Sequence, residues 1–227
     1  TGTTATTYSP TDSVTRWQMA LYLTRALAPA GGTLGAGVDQ GFTDISGKSD
    51  AIQLAINQIG ELGISNGKTA TTFAPDDNVT REEMAMFIER WLENVKAGPG
   101  GQSDADNDAS LTAAQVTYVN SDCTVTVACT GKYNYTDVDA GSVTVEGANA
   151  IKELYDMGIH DGVSATTFNP SGDMTRAAMA TFMTTALDQT NARPEGLWLQ
   201  ASKYTNAGAH TPTLSVSDRD SSFAAIA

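Results

Sequence analysis

The sequence has little positive charge and no long hydrophobic run. Its 227 residues include 13 Lys and Arg against 26 Asp and Glu, which gives a formal net charge of −13. Binding to a nucleic-acid backbone depends on clustered Lys and Arg, so the composition excludes a nucleic-acid-binding protein. No apolar run approaches the roughly 18–20 residues of a membrane-spanning helix, so no membrane span is predicted.

Cysteine and histidine are also scarce. Neither of the two histidines, His160 and His210, lies near Cys123 or Cys129 in the sequence, so a zinc site is not expected. Few lysines, heavy use of threonine and the acidic balance are typical of an exported protein, in which two cysteines are usually bridged. A straight strand would place them about 20 Å apart. A disulfide between them, which we expect, therefore requires the chain to double back.

Two signatures of catalysis are absent. The sequence contains no His-Glu-x-x-His and no phosphate-binding loop. The adjacent carboxylates Asp76/Asp77 and Glu82/Glu83 are of the kind that usually cap helices or face solvent. We therefore expect no enzymatic activity and no required cofactor.

An acidic run after residue 100 allows two interpretations. Asp104, Asp106 and Asp108 follow the first ligand positions of a Ca²⁺-binding EF-hand loop. Ala109 replaces the glycine of that loop, and Gln115 replaces its bidentate glutamate. The run is either a weak extracellular Ca²⁺ site or a solvated acidic linker.

The sequence does contain an internal repeat. Segments 2–27, 67–92 and 162–187 align without a gap, and each contains an aromatic residue, a proline and the motif Thr-Arg-x-x-Met-Ala. The matching positions are Tyr8/Phe73/Phe168, Pro10/Pro75/Pro170, Thr15/Thr80/Thr175, Arg16/Arg81/Arg176 and Met19/Met84/Met179.

An upstream half of the repeat occurs twice, from Phe42-Thr-Asp to Gly63-Ile and from Tyr135-Thr-Asp to Gly158-Ile. The first copy lacks it, which implies either further residues upstream or a vacancy filled by another chain. The predicted organisation is 1–30, the downstream half of repeat 1; 42–96, repeat 2; 97–132, an insertion with the acidic loop and both cysteines; 133–190, repeat 3; and 191–227, a linker and the start of a β-type module.

Helical periodicity predicts a helix in each half. In the second downstream half the apolar residues recur at i, i+3, i+4, i+7 and i+8. They are Met84, Phe87, Ile88, Trp91 and Leu92. The upstream halves give a shorter pattern that ends near a glycine: Ile56, Ile59, Leu62 and Ile151, Leu154, Met157.

The starts of the downstream helices are marked by capping residues. Thr15, Thr80 and Thr175 are predicted N-caps, and Thr80-x-x-Glu83 and Thr15-x-x-Gln18 are capping boxes. The third copy has Ala in place of the acid or amide, so we expect it to lose the reciprocal bond.

The chain changes character after residue 190. Leu197-Trp-Leu-Gln and Thr213-Leu-Ser-Val-Ser-Asp alternate like strands. We interpret them as the opening strands of another module, or as strands that pair with a neighbouring subunit.

An arginine directly follows each N-cap threonine, at Arg16, Arg81 and Arg176. A cation at a helix N-terminus is disfavoured by about 0.3–1 kcal/mol, so its presence in three copies needs a reason. Either the arginine and the free backbone N–H groups hold an anionic ligand, or the arginine forms an internal ion pair with Asp44 or Asp137.

The order Phe-x-Asp, Gly-Ile-x-x-Gly, Phe-x-Pro and Val-Thr-Arg-x-x-Met-Ala resembles the S-layer homology domain, over about residues 1–30, 42–96 and 133–190. The resemblance implies three repeats that pack as a pseudo-trimer around a central helical bundle and hold an exported protein non-covalently on the cell wall. It also implies an acidic wall polysaccharide as ligand, often with a pyruvate ketal, bound in grooves between repeats and contacted by the arginine of Thr-Arg.

Two departures from the family pattern alter the predicted grooves. The glutamate that usually follows Thr-Arg-Ala is Gln18, Glu83 and Ala178 in the three copies, so the grooves are not equivalent. Family members often carry Gly-Tyr where this chain has Lys68 and Val163 after glycine, and the lysine is a candidate cation for one groove. Trp17 lies off the predicted apolar face and is a candidate for stacking on a sugar.

We therefore predict a mainly α, pseudo-threefold assembly of helix-loop-helix repeats around a central helical bundle, with a disulfide-bearing insertion and a short β-prone C-terminal tail. The predicted function is a non-catalytic extracellular anchor that binds acidic wall polysaccharide at the cell surface. The predicted glycan-binding residues are Arg16, Arg81, Arg176, Trp17, Lys68, Asp44 and Asp137.

Two other functions fit the same sequence. The repeats of a self-assembling subunit of a surface array or filament would bind other protein chains instead of glycan. The anchor of an exported wall-processing enzyme would have its catalytic module outside this chain. Purified protein that forms sheets without glycan would indicate the self-assembling subunit. A hydrolase motif in the full-length precursor would indicate the enzyme anchor.

Overall fold

A computed structural model describes residues 2–95, 135–139, 141–160, 162–190, 196–201 and 214–219. Within these segments the chain is mainly helical, as predicted, and none of the helices is long and apolar enough to cross a membrane. The elements are α1 Arg16–Leu27, α2 Asp50–Glu61, α3 Arg81–Glu93, α4 Val145–Asp156, α5 Arg176–Gln189, β1 Gly196–Ala201 and β2 Leu214–Arg219.

Several predictions lie outside the described residues. They concern the insertion 97–132, with the candidate Ca²⁺ ligands Asp104, Asp106 and Asp108 and the cysteines Cys123 and Cys129. In the part of the chain that is described, no group of three or more His, Cys, Asp or Glu residues is arranged to hold a metal ion.

The predicted starts of α1, α3 and α5 are confirmed. Each helix begins at the arginine that follows an N-cap threonine. At α3 the capping box is complete, because Glu83 N–H donates to Thr80 Oγ1 at 3.2 Å and Thr80 N–H donates to Glu83 Oε2 at 3.1 Å. At α5 Ala178 N–H donates to Thr175 Oγ1 at 3.2 Å, and the alanine side chain offers no acceptor in return. At α1 Thr15 N–H donates to Gln18 Oε1 at 3.2 Å, and at α4 Gly147 N–H donates to Thr144 Oγ1 at 2.9 Å, so a capping hydrogen bond is present at four of the five helix starts in the described residues.

The two upstream helices, α2 and α4, also form and end where predicted. They stop just before Gly63 and Gly158, whose φ angles are 73° and 74°. This left-handed backbone conformation is readily adopted by glycine and ends a helix by turning the chain away. Helix α2 packs on α1, and α4 packs on α3.

The predicted apolar faces form the core. Met84, Ile88 and Trp91 of α3 have no exposed surface, and neither do Met19 and Leu23 of α1. The indole nitrogen of Trp91 donates to the carbonyl oxygen of Leu23 at 3.2 Å, so its buried polar group is satisfied by the neighbouring repeat. The core thus crosses the boundary between repeats.

A closed ring of backbone hydrogen bonds joins the three copies of the repeat. Val14 N–H donates to Met174 O at 2.8 Å, Met174 N–H donates to Val79 O at 2.8 Å, and Val79 N–H donates to Val14 O at 2.9 Å. These residues occupy the same position in each copy, just before Thr-Arg, and are fully buried. Buried backbone groups need such partners, so each copy satisfies the backbone of another.

The two C-terminal strands form at the predicted positions. Strand β1 pairs with β2 in antiparallel register, with Gly196 opposite Arg219 and Ala201 opposite Leu214. The strands therefore pair with each other, and the alternative of pairing with a neighbouring subunit stays a prediction.

Candidate functional site

Two predicted site residues, Asp44 and Asp137, shape the loops of the repeats. Asp44 accepts the N–H groups of Phe73 and Ala74 at 2.9 and 2.7 Å. Asp137 makes the same pair of hydrogen bonds in the third repeat, also at 2.9 and 2.7 Å. These bonds hold a tight turn in which Ala74 has a positive φ of 55°. The aspartates thus fix the loops whose carbonyl groups Arg16 and Arg81 reach.

The three motif arginines connect the copies of the repeat in a closed order. Each arginine donates from Nε to the carbonyl oxygen of the aromatic residue in the Phe/Tyr-x-Pro loop of another copy. The pairs are Arg16 with Phe73 at 2.7 Å, Arg81 with Phe168 at 2.6 Å and Arg176 with Tyr8 at 2.8 Å. From the sequence, the partner of each arginine is either an anionic ligand or Asp44 or Asp137. This hydrogen bond to a loop carbonyl is not predicted by either alternative.

The guanidinium groups also stack on the rings of those loops. The distances from the guanidinium carbon to the ring centroid are 4.8 Å for Arg16, 4.7 Å for Arg81 and 4.6 Å for Arg176. This geometry is a cation–π contact. Only 2%, 6% and 3% of the respective residue surfaces are exposed. Burial lowers the pKa of Arg16 and Arg81 from its usual value, because the charged form loses water.

Two of the arginines retain a donor that is not hydrogen-bonded within the described segments. Nη2 of Arg16 and Nη2 of Arg81 are buried and have no hydrogen-bond partner among the described residues. An unsatisfied buried donor costs about 1–3 kcal/mol. Both nitrogens are enclosed by the protein, so an oxygen from outside reaches them only if the site opens.

The site around Arg16 contains its own acid. Nη1 of Arg16 lies 3.4 Å from Glu83 Oε1, and the same oxygen lies 2.5 Å from Lys68 Nζ. Two of the predicted glycan-binding cations are thus brought together, but by a carboxylate of the protein. An external anion at this site would compete with Glu83.

The equivalent position differs at the other two arginines. Alanine (Ala178) stands there in α5, beside the loop that Arg81 contacts, and the neutral amide of Gln18 stands there in α1, beside Arg176. At these two sites a neutral side chain thus takes the place of the carboxylate of Glu83. The three sites thus differ in charge at this position, because the site of Arg16 has a glutamate and the other two have an alanine and an amide.

A cavity of about 240 Å³ opens beside Arg176, between the N-terminus of α5 and the outer face of α1. We call it the Arg176 groove. Nη1 of Arg176 donates to Tyr22 Oη at 2.6 Å inside it. The residues that line it include Trp17, Gln18, Leu21, Tyr22, Arg25 and Arg176.

The groove brings together Arg176 and Trp17, both predicted from the sequence, and adds residues that the prediction missed. Trp17, Leu21 and Arg25 recur every four residues, which places them on one outer stripe of α1. The four-residue spacing is the signal in the sequence that indicates this outer stripe. It is masked by the apolar core stripe of the same helix, which contains more hydrophobic residues.

A buried histidine supports the site of Arg81. The ring of His160 stacks on that of Phe182 with centroids 5.6 Å apart, and Phe182 in turn lies 5.6 Å from the Arg81 guanidinium carbon. Nε2 of His160 bonds Ile151 O at 2.9 Å, and Nδ1 accepts from Gly162 N–H at 3.3 Å. Burial, with a further contribution from Arg81, lowers the pKa of His160 to about 3. The imidazole is therefore neutral at ordinary pH.

Comparison with known proteins identifies the repeats. The S-layer homology domain family matches residues 41–85 and 134–180. These segments are S-layer homology repeats, which confirms the resemblance seen in the sequence. Such repeats support a role in cell-wall anchoring at a cell-surface or wall-associated location.

The chain is also similar to an endoglucanase of Bacillus sp. (strain KSM-635). The two are 32% identical over 187 residues. The match covers 82% of this chain and 16% of the endoglucanase, so the chain spans only a small part of that relative's length.

Proposed function

We propose that this chain is a non-catalytic anchoring module that binds an acidic wall polysaccharide and so tethers an exported protein to the cell wall. The observation that carries the proposal is the Arg176 groove, where the guanidinium lies with the rings of Trp17 and Tyr22 and the neutral amide of Gln18 takes the place of Glu83. A guanidinium binds a carboxylate with charge-assisted hydrogen bonds, and an aromatic ring offers a flat apolar surface to a sugar. The proposed anionic group is a carboxylate, such as that of a pyruvate ketal.

The three copies of the repeat, in this proposal, form a pseudo-threefold assembly around a central helical bundle. The closed order of the arginine contacts and the ring of backbone bonds among Val14, Val79 and Met174 support it. Such an arrangement places one arginine site at each boundary between copies. Each boundary then offers a groove of its own.

The three grooves differ in their expected affinity for an anion. The Arg176 groove ranks first, because Gln18 is neutral and the cavity is open. The site of Arg81 also lacks a glutamate at the equivalent position. The site of Arg16 ranks last, because Glu83 already binds both Arg16 and Lys68.

A test should avoid replacing the motif arginines, since each is also a buried contact between repeats. Gln18→Glu is better, because it copies the residue of α3, keeps the capping box and places a carboxylate in the Arg176 groove. We expect about tenfold weaker binding to purified Bacillus sacculi that retain their secondary polysaccharide. Binding would be measured by sedimentation, with folding checked by circular dichroism.

Two controls sharpen this experiment. Glu83→Gln removes the competing acid at Arg16 and should leave binding unchanged or strengthen it. Sacculi stripped of secondary polysaccharide should not bind the wild-type protein. Equal binding by the wild type and Gln18→Glu would refute the assignment of the Arg176 groove.

The endoglucanase relative favours one proposal about what is anchored, namely an exported carbohydrate-degrading enzyme whose catalytic module lies outside this chain. The sequence of the full-length precursor tests it, because it either contains a hydrolase module or does not. Self-association into an array stays a prediction, to be tested by electron microscopy of purified protein without glycan.

A further inference from the structure

Arg25 lies in the Arg176 groove. Its side chain is exposed on α1 and lines the cavity. Among the described residues it makes no ion pair or hydrogen bond. An unpaired arginine in a cavity that already contains a buried one is unusual, since the two like charges repel each other.

The second repeat contains the same arginine with a partner. Arg25 and Arg90 each lie nine residues after the motif arginine of their helix. Arg90 forms an ion pair with Glu146 of α4, the helix that packs on α3. The position equivalent to Glu146 in α2 is Ala51, since each lies twelve residues before the glycine that ends its helix. In α2, which packs on α1, the methyl group of Ala51 thus takes the position of the carboxylate that pairs with Arg90.

The two arginines of the groove lie within reach of one ligand. Tyr22, which accepts the hydrogen bond from Arg176, is three residues before Arg25 on the same face of α1. Residues at this spacing are neighbours on a helix, with a rise of about 4.5 Å along the axis. One sugar residue is of comparable length.

We propose that Arg25 is a second anion-binding residue of the Arg176 groove, which therefore selects a glycan segment with two acidic groups on the same or adjacent sugars. This inference rests on the proposed function and adds to it the separation between two acidic groups on the ligand. Arg176 binds one acidic group, and Arg25 binds the other. Trp17 and Leu21 contact the sugar between them.

The test uses two variants that remove the free charge in different ways. Arg25→Gln deletes the guanidinium, and Ala51→Glu supplies an acid at the position equivalent to Glu146, the partner of Arg90. Both positions are exposed, so neither change should affect folding. We expect each variant to bind Bacillus sacculi about fivefold more weakly and with a weaker dependence on NaCl concentration. Arg90→Gln is the matched control and should bind like the wild type.

Soluble competitors test the number of acidic groups. Digalacturonate, which has carboxylates on adjacent sugars, should displace the wild type from sacculi better than galacturonate does, and Arg25→Gln should lose this preference. A wild type that does not bind sacculi overturns the proposed function and this inference together. Unchanged binding in both Arg25→Gln and Ala51→Glu overturns only the role of Arg25, and no preference in the wild type overturns the two-acid selection.

Discussion

Arg176 Nη1 donates a 2.6 Å hydrogen bond to the phenolic oxygen of Tyr22 and so joins the third copy of the repeat to the first. The equivalent aromatic residues that face the other two motif arginines are Phe87 and Phe182, which have no hydroxyl. The boundary between the last and first copies therefore has a polar contact that the other two boundaries lack. It is also the boundary at which the groove opens.

Tyr22→Phe should destabilise the protein by about 1–2 kcal/mol, because a hydrogen bond from a charged, buried donor is lost while the ring stays in place. The free energy of unfolding in urea measures this. Arg25→Gln, which removes an exposed side chain from the same helix, should leave that free energy unchanged. A Tyr22→Phe protein as stable as the wild type would mean that the donor finds another partner.

Glu83→Gln should lower the free energy of unfolding by about 1 kcal/mol. The substitution keeps an acceptor for the N-cap, as Gln18 shows in α1, and removes the charge that pairs with Arg16 and Lys68. Partly exposed ion pairs contribute about this much. Because salt screens such pairs, the difference from the wild type should shrink in high salt, and a difference independent of salt would contradict the electrostatic explanation.

Ala178→Glu should stabilise the protein by about 0.5–1 kcal/mol. It completes the capping box of α5 and gives the site of Arg81 the acid that Glu83 gives to Arg16. Thermal unfolding should shift to higher temperature. If the site of Arg81 also binds glycan, the same variant should bind sacculi more weakly, so that stability and binding change in opposite directions.

The buried His160 predicts a loss of stability in acid. Its pKa is lowered from 6.5 to about 3, so the folded protein keeps the imidazole neutral while the unfolded chain takes up a proton below about pH 6.5. The free energy of unfolding should therefore fall as the pH drops from about 6.5 towards 3, by up to roughly 1.4 kcal/mol per pH unit from this group.

Unfolding in urea at a series of pH values tests this, with His160→Ser as control. Serine is the residue at the equivalent position of the second repeat, Ser65. The control should be less stable than the wild type at neutral pH and should lose less stability on acidification. Parallel pH profiles for the two proteins would rule out His160 as the source.

The local features of the fold could be predicted from the sequence, because they depend on neighbours in the chain. Thr80 and Glu83 cap α3 whatever lies around them, and the glycine at 63 ends α2 through its own backbone. The contact of Arg81 with the carbonyl of Phe168 could not be predicted, since it joins residues 87 positions apart through a loop that Asp137 shapes. Within the described residues Arg25 has no carboxylate partner, because α2 has Ala51 at the position of Glu146. This too becomes visible only once α1 is known to pack on α2.

The ring formed by Val14, Val79 and Met174 limits how this architecture can vary. In an open stack of repeats, units are added or lost at the ends, and stability changes by one increment at a time. Here each copy donates a backbone hydrogen bond to one of the other two copies and accepts one from the third. Removing a copy would leave buried peptide groups without partners on the two that remain. A substitution among the residues that line a boundary leaves this ring intact, whereas the loss of a copy breaks it.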